Sequence, residues 1–279
     1  MRTYAYRIVN VFTRGGTLTG NPLCVFENGE GLSDDEMQAL ALQFNLSETT
    51  FILPSEKAHA RVRIFTPAYE MPFAGHPTLG TAHVVNALQN AGGALKLEMK
   101  AGVIPVAFDG ERWELSANAP RWREVTESRE FLADMLGLPV AAIGERPLWV
   151  NAGKEQLVIP LTSPEHVRAV KPKTEPFWQL KSEDGQSMAY VFAPQDANTI
   201  VCRFFFPKSP AILEDPATGS ACSNLGGWFV AMQRGPQSQT VLQGDQVGRP
   251  STLFLRVDDA WRIFVGGSVI ELGAGVVRL

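Results

Sequence analysis

The chain is poor in cysteine and histidine and has no long apolar run, and each scarcity removes a class of protein. Three cysteines (Cys24, Cys202, Cys222) are an odd number with no C-x-x-C pair, so neither a disulfide framework nor a structural zinc site is expected. The four histidines (His59, His76, His83, His166) build no ligating motif, so no metal is expected. No apolar run reaches the roughly 18 residues of a membrane span. Basic excess is also missing. Lys and Arg number 25 against 29 Asp and Glu, a net charge of −4, the wrong sign for a nucleic-acid binder. There is no Walker motif, and Gly15-Gly16 does not fit a Rossmann fingerprint, so neither ATP nor NAD is expected and no cofactor is called for. Met1–Arg7 lacks the apolar core of a secretory signal, and a reducing, cytoplasmic location is the expectation.

What is present is a globular composition, 45% hydrophobic and 19% charged over 279 residues, enough chain for about two domains. An internal repeat supports two. Arg63-Ile64-Phe65-Thr66-Pro67 returns as Arg203-Phe204-Phe205-Phe206-Pro207, and Pro77-Thr78-Leu79-Gly80-Thr81-Ala82 as Pro216-Ala217-Thr218-Gly219-Ser220-Ala221, at offsets of 140 and 139 residues. A weaker echo links Asp109 and Trp113 to Asp258 and Trp261. Matches in one order at nearly one offset point to two similarly folded halves.

Each half reads as strands around a helix. Arg2–Phe12, Pro22–Phe26, Phe51–Leu53 and Ala60–Phe65 have strand character. Ser33 with Glu36 three residues on is a capping box that opens a helix carrying Met37, Leu40, Ala41 and Phe44 at helical spacing. Pro77–Gln89 and Pro216–Gln233 are expected as matched helices, with proline at the first helical position. Both are apolar nearly all round, the mark of a buried helix, and Gly226 and Gly227 suggest close backbone approach. The fold class expected is α/β (α+β): two pseudo-symmetric domains, each a curled, mostly antiparallel sheet wrapped around a central helix. Residues 1–118 with 268–279 would form one domain and 119–267 the other. Asn118–Glu127 would be a linker, and Ser268–Leu279 a strand beside the N-terminal one.

The repeat sets His76 opposite Asp215, each just before a proline that starts a helix. Helix N-termini attract anions through free N–H groups, so two such ends facing one cleft would hold a small carboxylate. Asp215, itself an anion, needs another role; a plain N-cap is its simplest reading. Thr81 and Ser220 match in the first turn, where a hydroxyl bonded to the helix backbone is the plain alternative. Glu48, in Asn45-Leu46-Ser47-Glu48-Thr49-Thr50, lies between a helix and an apolar strand, as a surface-loop carboxylate also would.

Four strings converge: F-A-G-H-P-T-L-G at 73–80, E-D-P-A-T-G-S-A at 214–221, N-L-S-E-T at 45–49 and G-N-P at 20–22. Together they resemble the PhzF-like (phenazine biosynthesis) family along essentially the whole chain. The resemblance implies the diaminopimelate-epimerase-like fold, with an active site between two domains, and a cofactor-free isomerase whose founding member rearranges trans-2,3-dihydro-3-hydroxyanthranilate. It implies Glu48 as the proton-transferring residue, with His76, Asp215 and Ser220 beside it. It implies substrate contacts at Gly75, Pro77, Thr78, Gly219 and Asn21, and a homodimer. General acid–base chemistry fits, because a carboxylate in a closed cleft can take a proton from one carbon and return it to another. Two alternatives stand beside this reading. A two-thiol racemase of the same fold would need paired cysteines, but Ala74 stands where the first belongs and no cysteine fills the second position near Pro216. An idle binding protein would not need Glu48, His76 and Asp215 together.

Overall fold

A computed structural model describes residues 1–279. The chain divides into two compact units, Met1–Ser116 with Gly266–Leu279, and Ala117–Val265. The first unit runs β1 (Thr3–Val11), β2 (Asn21–Phe26), α1 (Asp34–Phe44), β3 (Glu48–Leu53), β4 (Ala60–Phe65), β5 (Glu70–Met71), α2 (Gly75–Gln89), β6 (Ala94–Met99), β7 (Gly102–Phe108) and β8 (Trp113–Ser116). The second runs β9 (Arg121–Glu124), α3 (Arg129–Leu136), β10 (Leu148–Asn151), β11 (Glu155–Pro160), α4 (Pro164–Ala169), α5 (Thr174–Gln179), β12 (Ala189–Pro194), β13 (Thr199–Lys208), β14 (Ala211–Asp215), α6 (Gly219–Ala231), β15 (Gln237–Gln243) and β16 (Ser251–Val257). After β17 (Ile263–Gly267), the chain closes on β18 (Val269–Arg278), which pairs antiparallel with β1.

One pairing pattern serves both units. In the first, β1 runs antiparallel to β2, β2 parallel to β3, β3 antiparallel to β4, and β4 takes β5 antiparallel and β6 parallel. In the second, β10, β11, β12, β13, β14 and β15 repeat those steps in the same senses. The fold is therefore mixed α/β, sheet-dominated and pseudo-symmetric.

Each unit buries one helix against its sheet. In α2, His76 through Ala82, Val84 and Val85 are buried; in α6 only Ser220, Val230 and Ala231 escape full burial. With apolar residues on every side, these helices are stable only when enclosed. Glycine admits the sheet to the helix backbone. A Cβ on Gly80 would come within 2.6 Å of Leu23 Cδ2, and one on Gly227 within 2.6 Å of Val150 Cγ1. The amphipathic α1 lies outside this layer. Its capping box is complete, with Ser33 Oγ accepting from the Glu36 N–H and the Ser33 N–H donating to the Glu36 carboxylate. Met37, Leu40 and Ala41 pack on Cys24, Phe26 and Phe51.

Three expectations are corrected. The segment expected as a linker contains β9, which is paired along its length with β10. Pro77 is the third residue of α2, and Pro216 precedes α6 by three, so neither proline starts a helix. The two helices also do not align at the offset of the sequence repeat. Arg63 and Arg203 hold matching places in β4 and β13, and each bonds a glutamate across its hairpin, Glu70 and Glu214 respectively. The hairpin is four residues longer in the second unit, so beyond it the offset is 144. His76 therefore matches Ser220, second residue of its helix in each case, while Asp215 matches Met71 at a strand end.

Candidate active site

In the first unit the site begins at the first residue of β3. Parallel pairing sets Glu48 beside Leu23 of β2. Alternation along β3 then sends Glu48 and Thr50 toward α2, where Thr50 meets Thr81, hydroxyl to hydroxyl, at 2.8 Å. That buried pair puts Thr81 in the second turn rather than the first. Glu48 Oε2 lies 2.8 Å from His76 Nδ1, and His76 Nε2 lies 3.1 Å from the Asn21 carbonyl oxygen. The histidine side chain is 6% exposed and the glutamate 17%, so the pair is shielded from water except at the carboxylate.

The tautomer follows from these contacts. A carbonyl oxygen only accepts, so Nε2 carries a proton. The 2.8 Å contact at Nδ1 joins the ring to the Glu48 carboxyl. Asn21 and Glu48 together fix the orientation of the His76 ring.

The remaining residues at this helix end differ in access: Gly75 is half-buried and the others are buried. Gly75 begins α2, and a Cβ there would meet nothing nearer than Leu115 Cδ2 at 4.0 Å. Pro77 and Thr78 are buried, and the Thr78 hydroxyl donates to the Ala74 carbonyl at 2.6 Å. Asn21 is buried as well.

In the second unit, Asp215 ends β14 and does not cap a helix. The N-cap of α6 is Thr218, which makes no side-chain cap bond; its hydroxyl instead donates to Asp215 Oδ2 at 2.5 Å. Buried Gln243 sets that direction. Its Oε1 accepts from the Thr218 N–H at 3.4 Å, and its Nε2 donates to the Asp215 carbonyl at 2.9 Å and to Thr218 Oγ1 at 3.0 Å. With Oγ1 already accepting, the Thr218 proton goes to Asp215. Gly219 and Ser220 open α6, and Ser220 Oγ accepts from Gln156 Nε2 at 3.1 Å. No motif marks Gln243 or Gln156; each sits in a strand of mixed polarity, and its partner is remote in the chain.

The cysteines are elsewhere. All three are free and buried, and burial pushes each thiol well above the usual range, which makes it inert. Cys202 accepts from the Tyr190 hydroxyl at 2.8 Å. No three His, Cys, Asp or Glu side chains form a metal-ligating group, and no helix is long and apolar enough to cross a membrane.

The family model described as phenazine biosynthesis-like protein, PhzC-PhzF, matches residues 9–271. The chain belongs to the PhzC-PhzF family. Its relatives include an uncharacterized isomerase of Pasteurella multocida, 36% identical over 98% of this chain and 93% of that one. They also include the trans-2,3-dihydro-3-hydroxyanthranilate isomerase of Pseudomonas aeruginosa, 32% identical over 92% and 91%. Among solved structures, a PhzF-family phenazine biosynthesis protein from Bacillus anthracis superposes with a TM-score of 0.86, covering 100% of both chains at 25% identity. PhzC-PhzF relatives are thus named as isomerases, and the α/β architecture is the family's own.

A thiol titration separates this PhzC-PhzF protein from a thiol-dependent racemase. The native chain is expected to release no thiol rapidly to an aromatic disulfide reagent, and all three after denaturation. A fast native thiol would reopen the two-thiol reading.

Proposed function

We propose that this protein is a cofactor-independent isomerase that moves a proton between carbons of a small carboxylate-bearing substrate by general acid–base catalysis. The observation that carries the reading is the 2.8 Å contact between Glu48 Oε2 and His76 Nδ1. As a carboxylate, Glu48 accepts a proton from substrate carbon. The C–H electron pair moves along adjoining unsaturated carbons, and Glu48 returns the proton at the far end. His76, bonded to the Glu48 carboxyl, holds it in place through both transfers, as general acid–base catalysis requires of a positioned group.

The second unit supplies binding. Ser220, at the start of α6, offers a donor to the substrate carboxylate, and the positive end of that helix favours the anion. Asp215 takes the opposite part and orients a donor group such as an amine or hydroxyl. The compound named for the Pseudomonas relative, trans-2,3-dihydro-3-hydroxyanthranilate, carries all three groups and is the first substrate to assay.

Asp215→Asn tests the assignment. The amide oxygen still accepts from Thr218, so the thermal midpoint should stay close to wild type, while loss of the negative charge lowers turnover of trans-2,3-dihydro-3-hydroxyanthranilate followed by proton NMR. Unchanged turnover would remove Asp215 from the site.

A further inference from the structure

In the second unit Asn224, Gln156 and Ser220 form a directional chain of hydrogen bonds. Asn224 is one turn beyond Ser220 on α6 and fully buried. Its Oδ1 accepts from the Ala152 N–H at 2.8 Å, and its Nδ2 donates to the Lys154 carbonyl at 2.8 Å. A backbone N–H only donates and a carbonyl only accepts, so the Asn224 amide has one orientation. That orientation sends Nδ2 to Gln156 Oε1, also at 2.8 Å. Gln156 is 2% exposed. With its oxygen toward Asn224, its nitrogen faces Ser220 Oγ at 3.1 Å. The Ser220 oxygen is therefore an acceptor on its inner side, and its proton is left to point outward. The strand supports the same arrangement. Leu157 and Ile159 of β11 pack into the core with α3, α4 and α5, so Gln156 takes the other face, toward α6.

We propose that Gln156 and Asn224 are positioning residues that fix the Ser220 hydroxyl with its proton outward, so that the position favours an acceptor oxygen of the substrate. This rests on the reading above that Ser220 meets the substrate carboxylate. A buried amide pair is costly unless fully bonded, and here both amides are locked at a residue that would need only one conformation to do this. A freely rotating serine would turn its proton to any side; with Gln156 donating to Ser220 Oγ, the proton points away from Gln156.

The test uses anthranilate, a stable aromatic amino-carboxylate, as the probe, with affinity measured by calorimetry on the full chain at pH 8. Gln156→Glu puts an acceptor where the donor was, so the Ser220 proton turns inward. Anthranilate binding is expected to weaken about tenfold to a hundredfold, the worth of one hydrogen bond to a charged group. In a Ser220→Ala background the same change is expected to have almost no effect, because its route is gone. Equal loss in both backgrounds would show a structural role and overturn the proposal. If Gln156→Glu does not fold, Gln156→Met removes the donor without a charge and carries the same cycle. Neutron diffraction from deuterated crystals reads the polarity without a ligand: the Ser220 deuteron should point away from Gln156, and a deuteron aimed at Gln156 would overturn the proposal. Equal anthranilate affinity in wild type and Ser220→Ala would instead sink the carboxylate reading, and the neutron map then decides the polarity alone.

Discussion

Glu48→Gln is expected to lower turnover by about 10²–10⁴, the usual worth of a positioned acid–base group, with little change in KM or thermal midpoint. The amide has the shape of the carboxyl, and its N–H can donate to His76 Nδ1 across the same 2.8 Å. His76 Nε2 keeps the Asn21 carbonyl. What disappears is the group that can hold the proton and release it. A loss confined to kcat assigns Glu48 to the transition state, whereas a rise in KM at constant kcat would assign it to binding.

The largest effect on stability is expected from Glu214→Ala. Arg203 and Glu214 have side chains only 9% and 7% exposed. The guanidinium donates to Glu214 Oε2 and to the carbonyls of Val167, Arg168 and Val170, and lies over the Phe205 ring at 4.8 Å. Removing the carboxylate leaves a buried cation with carbonyl partners and no counter-charge, a loss of about 3–5 kcal/mol. The matching Glu70→Ala in the first unit should cost less, because Arg63 is more exposed and keeps its ion pair with Asp34. Urea unfolding followed by circular dichroism measures both. A Glu214→Ala chain within about 0.5 kcal/mol of wild type, the range of an ordinary surface change, would contradict the buried-pair account.

The parts of this fold that were legible in the sequence are the ones set by local chemistry. Ser33 and Glu36 announce a helix start because both halves of a capping box lie within one turn. The apolar wheels of α2 and α6, with glycine in the face that meets the sheet, announce burial. The register between the units was not legible. Proline suggested helix starts at Pro77 and Pro216, but a longer β13–β14 hairpin shifts the second helix, and nothing in Phe206-Pro207-Lys208-Ser209-Pro210 advertises four added residues. Asp215 looked like a cap because it precedes a helix, whereas Thr218 intervenes and points its hydroxyl back at it. The echo of Trp113 in Trp261 was also partial. Asp109 and Asp258 each accept from backbone N–H groups just ahead, but the turn at Asp258 is one residue longer, and Trp113 is buried while Trp261 is exposed. Of the site, Glu48 and His76 stood out by their strings, while the orientation of the His76 ring depends on the Asn21 carbonyl, which no side-chain motif encodes. Gln156 and Gln243 stayed hidden for a similar reason: a buried carboxamide acquires meaning only through partners 64 and 25 residues away.

The central claim is that Glu48 carries a proton to substrate carbon, and the most direct measurement is solvent-deuterium uptake. The wild-type chain is incubated in D₂O with trans-2,3-dihydro-3-hydroxyanthranilate, beside Glu48→Gln and a variant carrying Cys24→Ser, Cys202→Ser and Cys222→Ser. Mass spectrometry and proton NMR then locate the label. The account predicts deuterium at the reprotonated carbon with the wild-type and cysteine-free chains, and its loss with Glu48→Gln. Undiminished labelling in Glu48→Gln, with labelling abolished in the cysteine-free chain, would contradict it and transfer the chemistry to the thiols.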